Sequence, residues 1–382
     1  MLNNVLSNVK ITALLLILFF MQACEEDRAN SKIDQHLADY DPPVNMWGLI
    51  DGKGQLVTKP MFDDILSFSS GLAPVNSNGL WGYIDREGDI VIPCKFLDAR
   101  PFIRDRAIVQ NEEGLVGVID TAGAYVVEPQ YDNIEDHGGS WMLATKGDGL
   151  IYIDNNGKKA PFEIGQDAMA FTGKRAAVQK NGKWHLINER GEHLGNPADE
   201  LKLIHGSTFF PFRVDHLWGY MDTMGNATLV PQYQMADRFI DGLAMVIKKD
   251  KFILIDTSGA QMVGDTQYIL NLGEEWLAIR RDSIWVVRDL DDRSLDRSPW
   301  EIHRFHEGRA VVRYGSYWNF IDETGDFLLA GPVYLAWDFH HGQARIIGPG
   351  GMGVIDIQGR IKIVPQFNEL RDLGIQDRWA YK

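Results

Sequence analysis

The chain of 382 residues carries 38 basic against 53 acidic side chains, a formal net charge of −15, and has no run of lysine or arginine. This balance excludes nucleic acid as a partner, because phosphate binding needs clustered cations, and it disfavours docking on anionic lipid by charge alone. Hydrophobic residues make up 45% and include 11 Trp, 12 Tyr and 18 Phe, enough to fill many small cores.

At the N-terminus, Lys10 precedes a thirteen-residue apolar run from Ile11 to Ala23, followed by Cys24. The run is shorter than the roughly 20 residues of a spanning helix and has the build of a secretory signal. Phe20-Met21-Gln22-Ala23-Cys24 resembles a bacterial lipobox, with Met21 where Leu is usual. That resemblance implies cleavage before Cys24 and acylation of its thiol; the alternative is an ordinary signal peptide with an incidental cysteine. With Cys24 acylated, Cys94 has no disulfide partner, so the folded region is held by apolar burial.

Glu25 to Pro43 is polar, acidic and too poor in large apolar groups to offset the ordering of its backbone, so it reads as a disordered tether. Glu25, Glu26 and Asp27 directly follow the cysteine and resemble the surface-export signal of some Gram-negative lipoproteins; a solvated linker is the alternative. The expected division is residues 1–23 as signal peptide, 24–43 as lipidated tether and 44–382 as a repeat array. The expected address is the outer membrane, held by the lipid, with the array facing either the surface or the periplasm.

From Trp47 onward one unit recurs. Aligned on one position, the copies place Asp51, Asp85, Asp120, Asp154, Asn188, Asp222, Asp256, Arg288, Asp322 and Asp356 in register, with steps of 34, 35, 34, 34, 34, 34, 32, 34 and 34. A fixed period of this size marks a repeat architecture. Trp81-Gly82-Tyr83-Ile84-Asp85 reads as a strand, and Gly88 three residues beyond the Asp suits a tight turn whose carboxylate accepts backbone N–H groups. The next strand ends in Pro and an aromatic, as at Pro93 and Phe96. A strand before the anchor starts in segments such as Phe68-Ser-Ser-Gly-Leu-Ala73. Each unit is therefore expected to be a three-stranded antiparallel meander.

The pattern G-L-A-x-V, W-G-x-I-D-x-x-G and V-I-P-x-x-F/Y resembles the WG-repeat family from Trp47 to the C-terminus, with intact pairs at Trp47-Gly48, Trp81-Gly82 and Trp218-Gly219. The resemblance implies an all-β tandem array of about ten meanders and carries little mechanism. An open, curved, solenoid-like array is expected. A closed, propeller-like toroid is the alternative, because Arg378-Trp379-Ala380-Tyr381 looks like the first strand of a further unit and would seal a ring.

No G-x-S-x-G, H-E-x-x-H, P-loop or Cys-x-x-Cys is present, and the anchor acids Asp51, Asp85, Asp120, Asp222, Asp322 and Asp356 are accounted for as turn residues. Trp47, Trp81, Trp184, Trp218 and Trp318 share one repeat position, which favours packing between units over stacking on a sugar; Trp300 and Trp337, in connections, are expected to be exposed. His303, His306, His340 and His341 fall one period apart and are candidate metal ligands, with solvated loop histidines as the alternative. The expectation is a non-catalytic envelope lipoprotein without a cofactor, binding a glycan, peptide or envelope protein. A glycan-active or metal-dependent enzyme at the same location is the alternative.

Overall fold

The computed structural model describes residues 45–266, 268–273, 275–281, 284–291, 293–295, 299–375 and 377–382. The stretches expected to be signal peptide and lipidated tether, with Cys24, lie outside them. Among the described residues every regular element is a β-strand, and the strands form ten antiparallel sheets. In the Asp85 unit the sheet order is Asp64–Ile65, Ala73–Ser77, Leu80–Ile84 and Ile90–Phe96; a single residue, Leu97, then leads into Asp98–Ala99 of the next sheet.

Six sheets have these four strands and four have three, with isolated bridges such as Ile153 to Lys159 and Trp318 to Val333 where the fourth would lie. The three-stranded meander expected from sequence misses the first strand, which in most units is only two residues long. The antiparallel order gives the structure two ends. One gathers the loops between first and second strands together with the Asp turns. The other gathers the hairpins between second and third strands and the short joins between sheets.

The anchor turns form as the sequence predicts. Asp85 Oδ1 accepts the N–H groups of Glu87 at 3.0 Å and Asp89 at 2.9 Å, while Gly88, at φ 85°, donates to the Asp85 carbonyl. Asn188 uses its amide oxygen in the same way toward Arg190 and Glu192. One anchor is corrected: the turn is built on Asp289, whose Oδ1 accepts Arg293 N–H at 2.8 Å, and Arg288 lies in the preceding strand opposite Leu277. The steps around it become 33 and 33, so the apparent 32-residue step was a misregister of one residue.

The Gly after the repeat Trp answers a close backbone approach. The register of Leu80–Ile84 against Ile90–Phe96 jumps between Tyr83 and Trp81, so extra residues around Pro93 bulge across Gly82. A Cβ built on Gly82 would lie 2.5 Å from Ile92 O and 2.6 Å from Cys94 N. Gly48, Gly117, Gly219 and Gly353 face Pro60, Pro129, Pro231 and Pro365 in the same way. At Ile253, which stands in the Gly place, the facing residues are Gly264 and Asp265 rather than Pro.

A second compensation fills the cores. Six units pair a Phe with an Ala five residues on: Phe68 with Ala73, Phe102 with Ala107, Phe171 with Ala176, Phe239 with Ala244, Phe305 with Ala310, and Phe339 with Ala344. The four units without that Phe carry Met142, Phe210, Leu277 and Trp379 at the Ala register, all buried. Total volume is thereby held near constant, as a close-packed interior requires.

The Phe also clamps neighbouring units together. Tyr83 meets Phe102 at 4.9 Å between ring centroids, Tyr152 meets Phe171 at 5.0 Å, Tyr220 meets Phe239 at 4.6 Å and Phe320 meets Phe339 at 4.9 Å. The Tyr83, Tyr152 and Tyr220 hydroxyls donate across the same interface to the carbonyls of Arg100, Met169 and Asp237. Burial pushes all three phenols well above their ordinary pKa, so they stay neutral donors.

The array closes. Gly48–Asp51 pairs antiparallel with Arg378–Tyr381, which pairs in turn with Leu370–Asp372. Leu373 and Ala380 pack with Trp47, Leu49 and Phe68 on one side of this composite sheet; Trp379 and Tyr381 pack with Ile50, Val354 and Ile363 on the other. The open array expected from sequence is thus overturned in favour of the toroid: ten small sheets form a propeller-like ring sealed by strands from both ends of the described chain.

Candidate functional site

The repeat Trp residues are largely structural. Trp47 and Trp218 are buried, and Trp81, Trp184 and Trp318 are half-buried. Cations cover several of them: Arg371 lies 4.2 Å and Lys382 4.4 Å from the Trp47 ring centre, and Lys202 lies 4.1 Å from that of Trp218. Trp300 is exposed, as its place in a connection predicts; Trp337 is half-buried, with the Arg345 guanidinium 4.8 Å from its ring centre.

The anchor acids are occupied in turns, and several are held low by that work. Burial alone would raise Asp222, but hydrogen bonds from the Asn226 side chain and from backbone N–H groups outweigh it. The Ser258 hydroxyl and the Ala260 N–H hold Asp256 below the usual carboxylate range. At Asp322 and Asp356 the same contest between burial and donated hydrogen bonds ends on the low side. These groups are ionised turn caps.

The four histidines fall on the loop end of two adjacent units, but they do not converge. His303 Nδ1 is 2.8 Å from Asp338 Oδ1, and His306 Nε2 is 3.9 Å from Asp338 Oδ2. The rings of His306 and His340 are 5.7 Å apart, while His341 occupies a turn at φ 54°. Among the described residues no three His, Cys, Asp or Glu side chains are placed to hold one metal ion. The hydrogen bond to Asp338 raises the His303 pKa against partial burial, which makes the pair a charge-assisted link between units. The sequence reading missed Asp338, whose signal was its place one period after Arg304, on the loop facing His303.

A cleft of about 400 Å³ opens on the same end, lined by Thr172 to Arg175, Ile204 to Ser207, Phe210 and Thr223. It sits where His205 replaces the packing Phe of other units and Phe210 replaces their Ala. Its cations are engaged: Arg175 donates to the Thr223 carbonyl, and Lys174 lies 4.0 Å from Glu189.

The WG-containing repeat is matched at residues 47–81, 81–114, 117–136, 166–184 and 218–252. None of the curated proteins matches the sequence. Among solved structures, a eukaryotic initiation factor aligns at 11% identity over 70% of this chain and 86% of its own, with a TM-score of 0.44. The computationally designed Ika8 protein aligns at 12% over 70% and 95% with a TM-score of 0.34, and BamB from Moraxella catarrhalis at 10% over 84% and 96% with a TM-score of 0.33. None superposes closely. The in-phase turns, the Gly-to-Pro approach and the five matched segments together identify the chain as a member of the WG-containing repeat family, here with ten units closed into a ring.

Proposed function

We propose that this protein is a non-catalytic binding or scaffold module of the cell envelope, tethered through a lipid on Cys24, with the ring presenting its loop and hairpin ends to a partner. The observation that carries this reading is the employment of its acids: the anchor carboxylates, the most regular chemical feature of the chain, accept backbone hydrogen bonds within their own turns. A propeller-like ring of short sheets is a rigid frame for variable loops, which suits recognition. The N-terminal pattern supports the address, since two or more acyl chains give stable anchoring where one is marginal.

The test is a screen of the purified full chain against glycans and envelope extracts. Saturable binding without product supports the module; turnover supports the glycan-active or metal-dependent enzyme instead. Fractionation tests the address: Cys24→Ala should leave the membrane fraction, and protease added to intact cells should remove the ring only if it faces outward. Replacing Glu25, Glu26 and Asp27 with alanine should then protect it.

A further inference from the structure

The residue just before the short first strand is a turn cap in five units. Asp63, Asp132, Gln166, Asp199 and Gln234 accept the backbone N–H of Asn78, Gly147, Gly182, Asp215 and Asp250 in the facing hairpin, at 2.6 to 3.1 Å. In the Asp322 and Asp356 units the same place holds Trp300 and Tyr334. Two consecutive units thus carry a large ring where five others carry a turn cap, and both rings face solvent, Trp300 at 72% and Tyr334 at 55% exposure.

Exposed aromatics among the described side chains fall within one stretch of sequence, with Phe327 beside the Asp322 turn on the loop end and the other three on the hairpin end. Among the described residues, Trp300, Tyr317, Phe327 and Tyr334 are the exposed large aromatic side chains, all within residues 300–334; the other exposed large hydrophobics are aliphatic or Met, and all lie outside that stretch. Trp300 N–H bonds to Arg313 O, Tyr317 pairs with Tyr314, and Trp318 bonds both ways with Val333, next to Tyr334. Trp300 and Tyr334 are therefore about three strand spacings apart, roughly 14 Å, with Tyr317 between them. All three lie on the hairpin end.

The rim decides the chemistry. Arg313 Nε is 3.1 Å from Glu301 Oε2, and the guanidinium is 5.9 Å from the Trp300 ring centre and 5.5 Å from that of Trp318. The two charges pair with one another, so the rim offers donors and acceptors with little net charge. Separate aromatic faces flanked by such groups suit the C–H faces and hydroxyls of a sugar. A protein-docking patch would add exposed aliphatic side chains in a contiguous apolar surface.

We propose that the hairpin end of the Asp322 and Asp356 units binds a neutral, unbranched oligosaccharide, with Trp300, Tyr317 and Tyr334 as its stacking rings. This names a ligand class for the binding module proposed above and rests on that reading.

Calorimetry of the purified full chain with the soluble hexasaccharides of glucose, xylose, mannose and N-acetylglucosamine tests it. At least one should bind saturably. Trp300→Ala should weaken that binding at least tenfold and Tyr317→Ala or Tyr334→Ala severalfold, while Leu217→Ala, at the hairpin position equivalent to Tyr317, should leave it unchanged. Thermal melts establish that each variant is folded. Failure of all four sugars to bind, or undiminished binding by the folded triple variant, overturns the proposal and leaves the module reading to its own screen. Release of shorter sugars by a chain that binds through these rings overturns the non-catalytic reading while upholding the platform.

Discussion

Ile50 and Trp379, near opposite ends of the described chain, face each other as partners in one antiparallel sheet. Their side chains share a core with Val354, Ile363 and Leu370, so one composite sheet carries the whole seam. Trp379→Ala should open a cavity there and cost about 3–5 kcal/mol, read as a fall in denaturant midpoint. Removing one in-phase period, Leu80 to Gly114, forces nine units to close at a different angle. That deletion should lower stability well beyond the loss of one interface; a deletion variant that melts like the parent would show that the seam does not hold the ring.

The corrected anchor gives a contrast between neighbours. Asp289→Ala removes the acceptor for Arg293 N–H and should cost about 1–2 kcal/mol, as should Asp85→Ala in its own turn. Asp289 is buried and also takes Arg293 Nε at 2.5 Å, so its loss should be the larger. Chemical denaturation of the two variants ranks them. Equal stabilities would mean that Arg293 adds nothing.

Volume compensation predicts coupling. Phe68→Ala should cost about 3–5 kcal/mol, and Ala73→Phe should cost about 1–3 kcal/mol by overpacking beside the native ring. The pair Phe68→His with Ala73→Phe rebuilds the combination found at His205 and Phe210, so it should be more stable than the sum of its single changes by about 0.5–3 kcal/mol. A double-mutant cycle with zero coupling would refute the compensation.

Stability should vary with pH at both ends of the range. The folded-state pKa values of Asp222, Asp322 and Asp356 are depressed, so their contribution is whole above the ordinary carboxylate value near 4 and disappears as pH falls through the lower folded values. His303 has the opposite sign. Its pKa is raised by Asp338, so its contribution is whole below the ordinary histidine value of about 6.5 and is lost as pH rises through the raised one. His303→Gln should flatten the melting temperature between pH 6 and 8 without changing the acid limb. An unchanged alkaline limb would assign it to another group.

What the sequence made legible follows from how narrowly each feature constrains residue type. The ten-unit period and the Asp-to-Gly turns are plain because a capping oxygen and a positive φ admit few side chains. The strand Asp64–Ile65 and its counterparts were hidden because two residues cannot display a period-2 alternation. Arg288 was mistaken for an anchor because its unit lacks the Gly that follows the repeat Trp; Trp285, four residues before Asp289 as Trp81 is before Asp85, was the signal that could have fixed the register. Ring closure was readable only as an alternative, since ten units exceed the about 4–8 blades usual for a propeller. The histidine period set the loops side by side, but spacing says nothing about side-chain direction, and His303 is turned onto Asp338. Trp300 was found by falling out of phase with the other tryptophans.

The Phe-to-Ala compensation also limits how such an array can be rearranged during its history. Both partners lie within one copy, five positions apart, so exchanging whole copies by recombination leaves each interior filled. A crossover inside that interval does not. Joining the first part of the Asp85 copy, with Phe68, to the second part of the Asp222 copy, with Phe210, yields a unit with two large rings; the reciprocal product pairs His205 with Ala73 and leaves a void. Exchange between copies at the hairpins and joins therefore keeps each interior filled, and exchange across the loop that connects the first and second strands does not.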